Sequence, residues 1–180
     1  MKRHLFHYAA LASVLLCTVC QAQTAPSLSI ADLYKNFAGS WTGMCCDFSG
    51  SKFPPTPVRL VVTIEKSGRA MRWETTYGVR GQSTYDHATK VVVLNPAKNE
   101  ISYDAMLFRS PDLADFAQKG FGSFSASALE PESRQVRRGT FELSPSTLTV
   151  RWETAPNGQH YKLEGLFSYR RDTTADSAKP

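Results

Sequence analysis

Val58, Leu60, Val62 and Ile64 alternate with Arg59, Val61, Thr63 and Glu65; shortly after, Met71, Trp73, Thr75 and Tyr77 alternate with Arg72, Glu74 and Thr76. Successive side chains of a strand point to opposite faces, so this pattern describes two half-buried strands with one apolar face each. Ser67-Gly68 supplies the turn between them. The same signal repeats along most of the chain. Residues 91–94 and 101–108 flank a hairpin loop at 95–99, and further strands are expected over 122–129, 136–143, 147–153 and 161–170. Pro156-Asn157-Gly158 marks the last turn. Roughly eight to ten short strands in meander order predict an all-β fold, an antiparallel barrel or sandwich. No long amphipathic helices alternate with the strands, which disfavours a parallel α/β fold.

Two short helices interrupt the pattern. Residues 29–37 read as a helix with Ser29 as N-cap and Leu33 and Phe37 on one face. Residues 110–120 read as a second, with Ser110 as N-cap, Pro111 at the first helical position and a Lys119-Gly120 ending. This inserted helix is either a connector burying Leu113 and Phe116 or a lid over one barrel mouth.

The N-terminus bears on compartment. Lys2 and Arg3 precede a mostly apolar run from Tyr8 to Val19, and Ala22 ends a small-residue cleavage site. That is the pattern of a secretory signal peptide over residues 1–22, followed by one domain over 23–171 and a disordered polar tail over 172–180. The expected location is periplasmic or extracellular, with no transmembrane segment in the exported chain. The formal net charge of +5 shrinks on cleavage, because Lys2 and Arg3 leave with the peptide. The remaining positive charge is scattered except at Arg134, Arg137 and Arg138, which argues against a nucleic-acid partner and reads as a solvated strand or an envelope contact.

Phe37-Ala38-Gly39-Ser40-Trp41, behind a short helix and ahead of a run of strands, resembles the opening of the lipocalin-like (calycin) barrels. The resemblance implies that Trp41 closes the bottom of a barrel and is covered by a cation from the last strand, Arg170 or Arg171. The Gly-Ser-Trp-Thr-Gly opening and Pro55-Thr56-Pro57-Val58 also resemble a loose group of bacterial exported proteins. The fold expected is therefore a lipocalin-like meander barrel with a short N-terminal helix and a short inserted one.

Cleavage leaves Cys45 and Cys46 as the thiols of the mature chain. If Trp41 faces inward, so does Cys45, and Cys46 faces outward. A bond between the two is disfavoured, since adjacent Cα atoms lie about 3.8 Å apart, short of the usual disulfide span. Three readings stay open: a core and a surface thiol, a homodimer through Cys46, or a strained redox pair.

The chemistry legible in the residues favours binding over catalysis. His87 and His160 are the candidate bases of an enzyme using the barrel cavity, but no nucleophile, metal or phosphate motif accompanies them, and no cofactor or metal is implied. The ligand-binding candidates are Trp73, Tyr77, Tyr103, Trp152 and Tyr161, expected on the inward face together with Phe167. An exported, non-catalytic protein holding a small apolar or amphipathic molecule, or acting as an envelope accessory, is the expected function. An enzyme, or a filled barrel that serves as a structural or partner-binding module, are the alternatives.

Overall fold

The computed structural model describes residues 28–49, 54–79, 81, 85–156 and 159–173. The expected signal peptide, most of the expected tail, and Asn157 and Gly158 of the last expected turn lie outside the described residues.

Helix α1 (Ile30–Phe37) starts where its sequence says it should: the Ser29 hydroxyl accepts a hydrogen bond from the Asp32 backbone N–H. Its inner face buries Leu33, Tyr34 and Phe37. The Tyr34 hydroxyl accepts from the Leu94 backbone N–H at 3.0 Å and donates to the Arg69 carbonyl at 3.2 Å, which fastens the helix across the barrel end.

Ten antiparallel strands follow: β1 (Gly39–Asp47), β2 (Thr56–Ile64), β3 (Met71–Tyr77), β4 (Asp86–Asn95), β5 (Glu100–Tyr103), β6 (Met106–Arg109), β7 (Gly122–Leu129), β8 (Gln135–Leu143), β9 (Thr147–Pro156) and β10 (Lys162–Arg171). Each pairs with its sequence neighbour, and β10 returns to β1 to close the barrel. Closure leaves the sheet no free edge, which is how an all-β chain of this length avoids edge pairing.

The inserted helix α2 (Leu113–Lys119) begins later than its sequence suggests. Ser110 is not its cap. It is fully buried, its backbone N–H bonds to Asn99 and its carbonyl accepts from Leu113, so Pro111-Asp112 forms a turn before the helix. Gly120 ends the helix as expected, at a φ of 74° that favours glycine. Leu113 and Phe116 are buried, the Phe116 ring lying 4.6 Å from Phe124 and 6.0 Å from Phe37 between centroids. This helix is a packed connector beside α1, at the same barrel end. The run 101–108, expected as one strand, is two, folded back at Asp104-Ala105 with Asp104 at a φ of 58°. The two-residue turn moves the inward positions from Ile101 and Tyr103 to Met106 and Phe108, a switch from odd to even positions that a single strand would not make.

The end near α1 is sealed. Trp41 is fully buried, its indole N–H donates to the Phe37 carbonyl at 2.8 Å, and the Arg171 guanidinium stacks 4.1 Å from its ring centroid. Arg171 also donates to the carbonyls of Asn36, Ala38 and Pro145, joining the C-terminal end of α1 to the β8–β9 turn. Gly43 lets β10 come close here: a Cβ on it would sit 1.8 Å from the Ser168 carbonyl oxygen.

Candidate functional site

With one end sealed, the interior opens at the other. A cavity of about 820 Å³ reaches from the barrel centre to the end where β1, β3, β5 and β9 finish. Exposed residues such as Asp86, Asp104 and Ala105 form part of its rim. The volume lies in the range of small-molecule sites.

Its inner wall is aromatic. Tyr103 and Trp152 meet edge to face with centroids 5.3 Å apart, and Phe108 lies 5.7 Å from the same indole. Tyr77 and Phe167 form a second edge-to-face pair at 6.3 Å. Burial raises the pKa of Tyr77, and does so strongly for Tyr103, so both phenols stay protonated as hydrogen-bond donors. Gly139 gives Trp152 its room: a Cβ there would lie 2.7 Å from the indole Cζ3.

The structure brings together three of the five residues singled out from the sequence. Tyr77, Tyr103 and Trp152 line the cavity. Trp73 also points inward but lies deeper, packed against Phe37, Tyr103 and Phe141, with its indole N–H buried and without a partner among the described residues. Tyr161 is away from the lining. It precedes β10 and lies on the outer side, under the guanidinium of the outward-facing Arg138 at 3.7 Å from its ring centroid. A bulge between Leu163 and Gly165 shifts the facing of β10 just past it, so counting back from Phe167 misplaces Tyr161. His87 and His160 are both exposed and neither lines the cavity.

The thiols follow the alternation in part. Cys45 lines the cavity and Cys46 does not, although both are half-buried, and both are free. Burial, with lesser contributions from Cys46 and Asp47, pushes the Cys45 thiol up to about 11, which leaves it a weak nucleophile.

Arg137 is the site residue that composition alone misses. It lies between outward-facing neighbours in an apparently solvated basic cluster, yet it shares the inward parity of Gly139 and Phe141 and lines the cavity. Its guanidinium stacks over Trp152, 4.9 Å from the ring centroid. The other charged groups of the lining are held by short local bonds. Asp47 accepts from Ser49 at 2.7 and 2.8 Å, Asp86 from the His87 backbone at 2.7 Å, and Glu164 from Thr154 at 2.8 Å. Lys90 pairs with Asp104 at 2.8 Å. Among the described residues Arg137 has a long 3.5 Å contact with Glu130 as its ion pair, and its Nε is buried without an acceptor. A guanidinium carries five N–H donors, so this one keeps unused capacity facing an aromatic-walled cavity.

No helix among the described residues is long and apolar enough to cross a membrane. No family model matches the sequence, and no curated protein matches it. Among solved structures, the chain is similar to the S-type phycobiliprotein lyase CPES from Guillardia theta, with a TM-score of 0.53 at 10% identity over 81% of this chain and 94% of that one. It also matches a DUF3598-family protein of unknown function from Nostoc punctiforme PCC 73102, with a TM-score of 0.49 at 16% identity over 82% of this chain and 50% of that chain, so it spans half that protein's length. Rv2717c from M. tuberculosis matches with a TM-score of 0.49 at 9% identity over 81% of this chain and 99% of that one. The likeness to the lyase is one of fold: this chain is an all-β, lipocalin-like antiparallel barrel.

Proposed function

We propose that this protein is an exported binding protein that holds a small amphipathic molecule in the barrel, with an anionic head on Arg137 and an apolar body against Trp152, Tyr103 and Phe108. The observation that carries the reading is the state of Arg137: a cation lining the cavity, over an indole, with donors that no short contact among the described residues takes up. A carboxylate or sulfonate would complete it with charge-assisted hydrogen bonds. Burial of the body against the aromatic wall would supply the rest of the affinity. The test is a fluorescence titration with 8-anilinonaphthalene-1-sulfonate and its neutral relative N-phenyl-1-naphthylamine. Arg137→Leu is expected to weaken the sulfonate about tenfold or more, the worth of a hydrogen bond to a charged group, and to leave the neutral probe within about twofold. A wild-type protein that binds neither probe contradicts the reading; equal affinities for the sulfonate in both proteins remove the role of Arg137.

A further inference from the structure

The barrel ladder is uneven. The strand pairs around the ring are joined by four or more residue pairs, except β6 and β7, which share one, Arg109 with Ser127. The cause lies in the connection. The connection between β6 and β7, residues 110–121, is the longest between consecutive strands and holds α2, and that helix fills the sealed-end half of the gap with Phe116 against Phe124. Toward the open end, continuing the antiparallel register would set Phe108 opposite Ala128 and Leu107 opposite Leu129, but no ladder pair forms there.

The edges of this seam are apolar on both sides of the wall. Met106 and Phe108 line the cavity behind it. Leu107 and Leu129 flank it outside, 54% and 63% exposed, the two most exposed of the large apolar side chains among the described residues. Arg137 sits directly behind it, as the β8 partner of Ala128. The open mouth differs in character: Asp47, Asp86 and Glu164 lie in the lining beside the Lys90–Asp104 pair, so carboxylates outnumber the one lysine there and oppose an anion arriving that way.

We propose that the β6–β7 seam is a lateral portal, through which an amphipathic ligand passes between Leu107 and Leu129 to reach Arg137 and the aromatic wall. This rests on the binding function proposed above. Parting the seam breaks a single ladder pair, where parting any other neighbouring strands breaks at least four. Openings of that kind are drawn from the least-paired parts of a fold.

The portal is tested by locking it. With Cys45 and Cys46 replaced by serine, Leu107→Cys and Leu129→Cys are joined by a short bis-maleimide, and stopped-flow fluorescence follows entry and release of 8-anilinonaphthalene-1-sulfonate. The matched control joins Glu142→Cys to Thr149→Cys, a fully laddered pair of β8 and β9. A lock across the seam is expected to slow both entry and release about tenfold or more while leaving the equilibrium affinity within about twofold, because a gate changes rates and not end states. The control link is expected to change neither rate. Unchanged rates in the seam-locked protein, or equal slowing by both links, overturn the portal and leave binding intact. No binding before either link is made overturns the binding function, and the portal with it.

Discussion

Arg137 and Trp152 face one another across the β8–β9 ladder inside the barrel, guanidinium over indole at 4.9 Å, with Gly139 directly opposite Trp152 in register. The three residues form one device: the glycine leaves the indole space, and the indole presents its face to the cation. Adding a methyl group at position 139 tests it. In Gly139→Ala the new Cβ would meet Trp152 Cζ3 at 2.7 Å and Phe141 Cε2 at 3.0 Å, pushing the indole into the cavity. Urea unfolding is expected to show a loss of about 1–3 kcal/mol, the usual cost of overpacking, together with weaker binding of the sulfonate probe.

The sealed end makes a separate prediction. Arg171 combines the stack on Trp41 with three bonds to backbone carbonyls, two at the end of α1 and one in the β8–β9 turn. Arg171→Ala is expected to cost about 2–4 kcal/mol in chemical denaturation, from the lost stack and the carbonyls left unpaired. Probe affinity, measured where the variant is still folded, is expected to stay within about twofold, since Arg171 is outside the cavity lining.

Cavity exposure and low reactivity combine at Cys45. With a pKa of about 11, it is three pH units from ionising at pH 8, so only about one part in a thousand is thiolate there. In a Cys46→Ser variant, iodoacetamide labelling followed by intact mass is expected to be slow at pH 8 and to accelerate about tenfold per pH unit toward pH 10. Saturating sulfonate probe is expected to slow it further, because Cys45 shares the cavity wall.

Alkaline stability follows from the buried phenols. Desolvation raises the folded-state pKa of Tyr34, Tyr77, Tyr103 and Tyr169 above their ordinary value near 10. Below that value both folded and unfolded chains keep these protons, and stability does not depend on them. Above it the unfolded chain releases protons that the folded one retains, so stability falls as pH rises. Urea midpoints are expected to drop between pH 9 and pH 11, with a shallower drop in Tyr103→Phe. A midpoint independent of pH over that range would contradict the burial of these hydroxyls.

The sequence made most of the architecture legible because its alternation is strong where one face is core and the other solvent. Ser29 and Gly120 are true caps, and the first helix and the strand over 122–129 lie where the pattern puts them. The misses have local causes. Asp104 turns the chain with no glycine or proline to mark it, and the switch of the inward positions from Tyr103 to Met106 was the sign of it; Ser110 resembles a cap but is buried, and the bulge at 163–165 changes the facing that a plain count assigns to Tyr161. Arg137 was within reach, since strict parity with Phe141 places it inside; composition grouped it with outward-facing Arg138 and hid the contrast. The unevenness of the ladder at β6–β7 was not legible, because a missing pairing leaves no mark in either strand's own residues.

Native mass spectrometry, without reductant, on the protein purified from an exporting host tests the central claim most directly. The account predicts an added small-molecule mass on the folded protein that is lost on denaturation and much reduced in Arg137→Leu. A bare wild-type protein that also takes up neither dodecanoate nor dodecanol supplied in excess would contradict it.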